Sequence, residues 1–202
     1  MIGIKKSKKI IDKKELKTNK LLETSFKLFT KKGINNTSVD DITKEAGIAK
    51  GTFYLYFKDK YDLQDYLIVK KSKQLFDDAI KSLKKESITD FKEKVIYIID
   101  YIINKLVKNK LLIKFISRNL SWGVYHDKVN LIASDSELGL YKLFIEEYTN
   151  SNIKLQNPDI TLYMIIELSS STIYSCITNN KPLPINEFKP YLYKEIERML
   201  EG

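Results

Sequence analysis

The segment KGTFYLYF, residues 50–57, combines groups that bind DNA: a lysine ammonium, tyrosine hydroxyls, and a backbone left bare by Gly51. On a helix, Phe53 and Phe57 share one face, where they are suited to packing on a core. The remaining side chains of the segment lie on the flanks of that face or opposite to it. The residues alone leave two interpretations open: a surface that contacts DNA, or a helix start with a solvated lysine.

Few residues of the chain are suited to catalysis or metal binding. His126 is the only histidine and Cys176 the only cysteine, and the glycine patterns of hydrolases, P-loops and dinucleotide-binding proteins do not occur. The sequence thus predicts no enzyme, no metal site and no cofactor. His126 is expected at a helix end or on the surface, and Cys176 as a small buried side chain. The lone cysteine, and an N-terminus with lysines but no apolar run, predict a cytoplasmic protein that does not enter a membrane.

The positive charge is concentrated in the first part of the chain. The net charge is +9, from 35 basic and 26 acidic residues among 202. Residues 1–60 hold 15 lysines and 7 acids, a net charge of +8, so the rest of the chain carries only +1. A lysine-rich composition by itself would raise the charge of both parts alike. The local excess therefore indicates a module that binds a polyanion such as nucleic acid.

Hydrophobic periodicity predicts an all-α fold of about nine helices. The first runs from about Glu15 to Gly33, and the second is a short helix capped by Thr37 and stopped by Gly47. Because a tight turn then leads into residues 50–57, the two short helices form a helix-turn-helix pattern. Further helices are predicted from Asp59 to Leu83 and over 91–106, 111–120, 138–148, 158–178 and 185–200.

The run TSVDDITKEAGIAKGTFYLYFKDKYDL, residues 37–63, resembles the DNA-binding domain of TetR-family transcriptional repressors. The capping threonine, the Ile-x-x-x-Ala-Gly turn, the Lys-Gly-Thr-aromatic-Tyr run and the following Lys-x-Lys occur in the family's order and spacing. The resemblance implies a helix-turn-helix domain over 15–62 and a larger helical regulatory domain over 63–202 for ligand binding and dimerisation. Residues 1–14 form a basic N-terminal arm, for which DNA contact and a solvated tail are both open.

The resemblance also implies individual DNA contacts. In the family, the cap of helix 2 contacts a phosphate, the start of the recognition helix contacts phosphates and bases, and a lysine at the head of helix 4 binds phosphate. The corresponding residues here are Thr37, Ala49, Lys50, Gly51, Thr52, Tyr54, Leu55, Tyr56 and Lys60. Leu55 departs from the polar residue that relatives often carry, and it can touch a thymine methyl but cannot hydrogen-bond a base.

In the family, the last two helices form the dimer interface. Apolar residues with heptad-like spacing in the last helix, and small residues in the helix before it, fit such an interface here. The residues expected there are Ile165, Ser169, Thr172, Ile173, Cys176, Ile185, Phe188, Leu192, Ile196 and Met199. Packing within one chain is the alternative explanation of the same stripe.

The family's regulatory domain binds a small molecule, and the middle of this chain holds a cluster of aromatic and polar residues that suits such a site. Its members are Tyr97, Tyr101, Phe115, Arg118, Trp122, Tyr125, His126, Tyr141 and Phe144. Ordinary core packing is the alternative role for this cluster.

Together these features predict a homodimeric repressor that binds a palindromic operator in double-stranded DNA and is released by a small-molecule effector. The alternative is a helical DNA-binding or DNA-organising protein that senses no ligand. The residues name neither the effector nor the operator.

Overall fold

A computed structural model describes residues 2–116 and 139–201. Every regular element in these two ranges is a helix, which confirms the predicted all-α fold. The helices are α1 (Ile2–Lys32), α2 (Val39–Ala46), α3 (Lys50–Tyr54), α4 (Lys60–Leu83), α5 (Phe91–Lys108), α6 (Lys110–Ile116), α7 (Gly139–Thr149), α8 (Pro158–Asn179) and α9 (Ile185–Met199). Side chains are described for 15–116 and 140–201.

The chain forms two compact units, Met1–Leu67 and Ile68–Gly202. Their boundary lies within α4, a few residues beyond the one expected after residue 62. The start of α1 differs from the prediction, because the helix begins at Ile2 and the backbone of residues 2–14 is helical rather than a separate arm. The physical reason is that no glycine or proline interrupts residues 4–32 and that lysine favours helices.

Helix ends in the first unit follow from local capping. Gly33 ends α1 with a φ of 79°, and its N–H donates to the carbonyl of Phe29 at 3.0 Å. The left-handed conformation suits glycine, which has no Cβ to clash. Asp59 caps α4, since its Oδ1 accepts from the backbone N–H groups of Tyr61 and Asp62 at 2.8 Å each. These two boundaries agree with the sequence-based prediction.

The second unit also has well-defined helix starts. The Asp90 carboxylate accepts from the N–H of Glu93 and caps α5, and Asn157 caps α8 just before Pro158. Asn180, with a φ of 54°, ends α8. The bounds of α5, α7, α8 and α9 agree with prediction to within about two residues, the ordinary uncertainty of helix ends. Buried isoleucines on α5, α8 and α9 make up much of the core: Ile98, Ile99, Ile102, Ile103, Ile165, Ile166, Ile173, Ile185 and Ile196.

Helix α8 is apolar on both of its faces. In the described part of the chain it is the one helix long and apolar enough to cross a membrane, judged by length and composition alone. One face is buried within the chain through Ile165, Ile173 and Cys176, as in the core helix of a globular unit. The opposite face leaves Tyr163 and Met164 about half exposed.

A polar cluster on α5 and α9 joins these two helices. Asp100 accepts hydrogen bonds from Lys189 at 2.6 Å, Tyr193 at 2.5 Å and Asn104 at 2.7 Å. Burial raises the pKa of Asp100, but the bonds from Lys189 and Tyr193 outweigh it, so this pKa lies below its usual value. Burial, with the nearby Asp100 charge, raises the pKa of the Tyr193 hydroxyl. The ionised carboxylate is therefore the form that joins the two helices.

Replacing this carboxylate should weaken the second unit. Because Asp100→Ala removes the acceptor of three partners while the site stays partly open to water, we expect a loss of about 2 kcal/mol in unfolding free energy. Since the folded pKa lies below the unfolded one, the contribution is present above about pH 4 and is lost as pH falls below it. Denaturant titration between pH 7 and pH 3 measures both effects. Glu195→Ala, which breaks an exposed pair with Arg198 on α9, should change stability little.

Candidate DNA-binding surface

A tight turn joins α2 to α3. Gly47 has a φ of 61°, and its N–H donates to the Lys44 carbonyl at 3.1 Å, while that of Ile48 donates to the Thr43 carbonyl at 2.9 Å. These bonds satisfy carbonyls at the end of α2 and reverse the chain within three residues. The outcome is a helix-turn-helix with α3 as its second helix.

The cap of α2 is Ser38 rather than Thr37. The Ser38 hydroxyl accepts from the Asp41 N–H at 3.0 Å, and the Asp41 carboxylate accepts from the Ser38 N–H at 2.9 Å. The hydrogen bond from the Ser38 backbone lowers the pKa of Asp41 most, and the one with the Ser38 side chain lowers it further. Thr37 is only 1% exposed, and its hydroxyl donates to the Gly33 carbonyl at 2.8 Å. The phosphate contact expected at Thr37 is therefore wrong as assigned, because this hydroxyl faces the interior.

The aromatic rings of residues 50–57 divide between two environments. Phe53 and Phe57 are buried, with ring centroids 5.8 Å apart, and Phe57 also meets the ring of Tyr66 at 5.6 Å. Tyr54 is half exposed and packs edge-on against Phe53. This division agrees with the helical projection, although α3 itself ends at Tyr54. The two buried rings fix the orientation of α3 in the first unit.

The outer side of α3 is an exposed surface of small, basic and apolar groups. Leu55 is 79% exposed, and Lys50 and Gly51 are also exposed. A Cβ built on Gly51 would meet nothing within 4 Å, so the backbone there is open to an approaching molecule. Thr52 and Tyr56 are half-buried at the edges, and Ala49, just before the helix, is exposed. We refer to the exposed residues Ala49, Lys50, Gly51, Tyr54 and Leu55 as the reading surface.

Lys50 is paired within the free protein. Its ammonium lies 2.8 Å from a carboxylate oxygen of Asp40, and both side chains are more than half exposed. The hydrogen bond to Asp40 raises the pKa of Lys50, which keeps the ammonium charged. An exposed pair of this kind is weak, so a phosphate can compete with Asp40 for the lysine. This geometry is compatible with the DNA contact predicted for Lys50.

Lys60 serves the loop before α2 rather than the outer surface. Its ammonium donates to the carbonyls of Ile34, Asn35 and Thr37 at 2.9, 3.3 and 3.0 Å. An ammonium has three N–H donors, and all three have carbonyl partners. The phosphate contact expected at Lys60 therefore conflicts with its observed bonding. Two residues earlier, Lys58 has an exposed side chain and is the better candidate.

Comparison with known proteins supports the geometry of the first unit. Residues 21–67 match the family model of bacterial regulatory proteins of the tetR family. The matched range covers α2, the turn, α3 and the start of α4. The chain thus carries the N-terminal domain of TetR-family transcriptional regulators.

Similarity to TetR-family and related regulators extends along nearly the full chain. An HTH-type transcriptional regulator of Staphylococcus aureus strain MSSA476 is 26% identical over 193 residues, covering 92% of this chain and 98% of that protein. A TetR-family regulator from Syntrophomonas wolfei has the same fold, with a TM-score of 0.66 and 23% identity. The match covers 93% of this chain and 96% of that protein. The regulator FadR from Bacillus subtilis, solved in complex with stearoyl-CoA, has a TM-score of 0.61 and 20% identity. The match covers 91% of this chain and 97% of FadR.

The described residues among those expected to bind a ligand do not share one cavity. Phe144 lines an apolar cavity in the second unit, but Tyr97 and Tyr101 line a separate polar groove with Asp100. The Tyr141 hydroxyl donates to Asp159 at 2.6 Å, which raises the pKa of Tyr141. Phe115 is buried outside the cavity wall, and Arg118, Trp122, Tyr125 and His126 lie outside the described residues.

Most residues expected at the dimer interface are instead buried within one chain. The buried ones, each at most 8% exposed, are Ile165, Ser169, Ile173, Cys176, Ile185, Leu192 and Ile196. Thr172, Phe188 and Met199 are half-buried. The stripe therefore packs α8 and α9 inside the second unit, so the assignment of these buried side chains to a partner contact was wrong. Cys176 is fully buried, as expected, and burial raises the pKa of its thiol.

Two residues of the surface were missed by sequence reasoning. Ser38 caps α2 in a capping box with Asp41, three residues later, but Thr37 and Asp40 have the same spacing. Asp40 pairs with Lys50 across the turn. No local pattern reports a contact of that kind.

Proposed function

We propose that this TetR-family regulator is a repressor that binds a palindromic operator as a homodimer and is released by a small molecule. The observation that supports it most is the reading surface: Lys50, Gly51 and Tyr54 exposed on a helix whose orientation is fixed by two buried rings. Ala49, Leu55, the half-buried Thr52 and Tyr56, and the cap Ser38 complete the proposed contacts. Two such helices in a two-fold dimer fit half-sites about 34 Å apart. A repressor of this kind works in the cytoplasm.

Salt dependence of DNA binding tests this function. Because lysines displace counterions from phosphates, log affinity should fall linearly with log salt, by about 0.9 for each phosphate neutralised. The probe is a duplex from upstream of the protein's own gene, measured by fluorescence anisotropy from 50 to 300 mM salt. A random duplex of equal length is the control, and it should bind more weakly. A flat salt dependence, or equal affinity for both duplexes, would contradict sequence-specific repression.

The outer face of α8 supports the proposed homodimer. Ile160, Tyr163 and Met164 are each about half exposed and follow one another along one side of the helix. On α9, Tyr191 is also 63% exposed. Large apolar side chains exposed in this way are typical of an interface between copies of a chain. The proposed interface thus uses the outward residues of α8, whereas the residues first expected there pack inward.

A charge on this face should separate the dimer. Met164→Asp would bury an unpaired carboxylate in the contact, so we expect the dimer dissociation constant to rise at least about tenfold. Sedimentation equilibrium measures it. Leu111→Asp, at a similarly exposed leucine on α6, is the matched control and should leave the constant unchanged. Equal effects of the two substitutions would place the interface elsewhere.

Release by a small molecule rests on the apolar cavity of the second unit and on likeness to relatives. The cavity has a volume of about 70 Å³ and lies among α4, α5, α7 and α8. The Bacillus subtilis FadR of the same fold was solved with stearoyl-CoA bound. A ligand that binds the DNA-free state better than the DNA-bound state weakens operator binding by the same factor.

A further inference from the structure

The cavity is long relative to its volume. Its wall includes Phe91 and Leu106 of α5, which are separated by about 22 Å along the helix at 1.5 Å per residue. On α8 the wall runs from Leu162 to Ile173, about 16 Å by the same rise. A volume of only about 70 Å³ spread over such lengths describes a narrow channel. A narrow channel accommodates an extended chain better than a wide ring system.

The wall carries no unpaired charge among the described residues. Lys94 and Glu147 are its two charged members, and their side chains form an ion pair at 2.5 Å. A charged ligand group placed here would meet one attractive and one repulsive partner. Its other described residues are apolar except for two serines, so burying a charge against them would be costly. The lining therefore favours an uncharged molecule.

One polar group in the wall lacks a hydrogen-bond partner. The Ser169 hydroxyl is buried and has none among the described residues, whereas the neighbouring Ser170 hydroxyl donates to the Glu167 carbonyl at 3.2 Å. A buried hydroxyl left unpaired costs free energy, and an incoming hydroxyl or carbonyl can supply the missing bond. Ser169 thus gives the channel one place for a polar ligand group.

From this shape and lining we propose that the effector is an unbranched aliphatic molecule with one uncharged hydrogen-bonding group, such as an alcohol or an ester carbonyl. The chain occupies the channel along α5 and α8, and Ser169 bonds the polar group. This inference rests on the proposed function, since it names the chemical class of the molecule that releases the DNA.

Chain length is the first test, using primary alcohols from hexanol to dodecanol on the full-length protein by calorimetry. Affinity should rise about fourfold for each added methylene until the channel is filled. Cyclododecanol, with twelve carbons and one hydroxyl in a wide ring, should bind at least about tenfold more weakly than dodecanol. Dodecanoate and dodecylammonium should also bind more weakly than dodecanol. Equal affinity for the ring, or tighter binding of a charged ligand, overturns the proposal.

Matched substitutions locate the binding site. Val95→Phe narrows the channel and should weaken dodecanol binding at least about tenfold, whereas Val107→Phe, exposed on the same helix, should not. Ser169→Ala should weaken it about fivefold, the effect of losing one neutral hydrogen bond. Ser171→Ala, two residues along and exposed, is its control and should have no effect. If the two variants of either pair bind dodecanol equally well, the proposed binding site is wrong.

Failure of this inference can be told apart from failure of the proposed function. The same protein is measured on its DNA duplex with and without dodecanol. DNA binding without any alcohol binding overturns the aliphatic effector and leaves the repressor standing. Alcohol binding by a protein that has no affinity for DNA supports the channel and overturns the repressor. Binding of both, with weaker DNA affinity in the presence of dodecanol, supports both.

Discussion

Gly51→Ala is expected to reduce operator affinity at least about thirtyfold, or roughly 2 kcal/mol, while leaving the protein folded. Gly51 is exposed on the reading surface, and a Cβ placed there meets no protein atom within 4 Å. A methyl group at this position therefore affects only a molecule that approaches from outside. In a recognition helix docked in the major groove, that molecule is the DNA backbone or a base edge. Anisotropy titration gives the affinity, and thermal unfolding gives the stability.

In the absence of DNA the same substitution should be neutral or slightly stabilising. Alanine is favoured over glycine in helices by up to about 1 kcal/mol, and Gly51 lies within α3 at a negative φ. A lower melting temperature would show that Gly51 is required by the fold. Unchanged affinity would show that DNA does not approach this part of α3.

Gly47→Ala is the matched contrast for this experiment. Gly47 has a φ of 61°, and its added Cβ would lie 3.6 Å from the Lys20 ammonium, an ordinary contact distance. The cost is thus backbone strain, about 1–2 kcal/mol for an alanine in the left-handed region. We expect Gly47→Ala to lower stability, and Gly51→Ala to lower only DNA affinity. The two glycines, four residues apart, therefore separate folding from binding.

The helix positions of this chain were largely readable from its sequence because caps and apolar periodicity are local. Asp59, Asp90 and Asn157 each accept backbone N–H groups of the first turn that follows them. The error at Thr37 was a shift of one residue. Thr37 and Ser38 are both hydroxyl residues followed three positions later by an aspartate, so the local pattern does not distinguish them. Tertiary packing decides, since Thr37 is buried and Ser38 is exposed.

The sequence did not show what the apolar face of α9 packs against. The spacing of Ile185, Leu192 and Ile196 shows that one face of α9 avoids water, but it is the same for packing inside a chain and between chains. The structure places these residues in the core of one chain. The exposed Tyr163 and Met164 on α8 gave no periodic signal, because α8 is apolar all round.

The described members of the predicted ligand cluster lie apart, because aromatic residues close in sequence need not share a cavity. Tyr97 and Ile98 are consecutive on α5, yet Tyr97 lines the polar groove and Ile98 the apolar channel. The channel is lined mainly by aliphatic side chains, which a search for aromatic and polar clusters passes over. Its shape depends on how four helices pack, which no segment of sequence encodes alone.

Lys60 shows most directly how a contact inferred from family resemblance can differ from the observed bonding, and Lys60→Met tests it. Methionine keeps much of the side chain's length but removes the ammonium that binds the carbonyls of Ile34, Asn35 and Thr37. Charge-assisted hydrogen bonds contribute about 1.5–3 kcal/mol each, and partial exposure lowers the total. We therefore expect the first unit to lose about 3 kcal/mol of stability. Native-state hydrogen exchange of the α2 amides measures this loss directly.

Salt dependence then separates the two roles of a lysine in this segment. If Lys60 only holds the loop before α2, the Lys60→Met variant binds DNA more weakly but with an unchanged log–log salt slope. If it binds a phosphate, α2 exchange stays slow and the slope becomes shallower by about 0.9. Lys58→Met is the matched control: its side chain is exposed, so we expect unchanged exchange and the shallower slope. A shallower slope with slow α2 exchange in Lys60→Met, and an unchanged slope in Lys58→Met, would show that Lys60 contacts the phosphate.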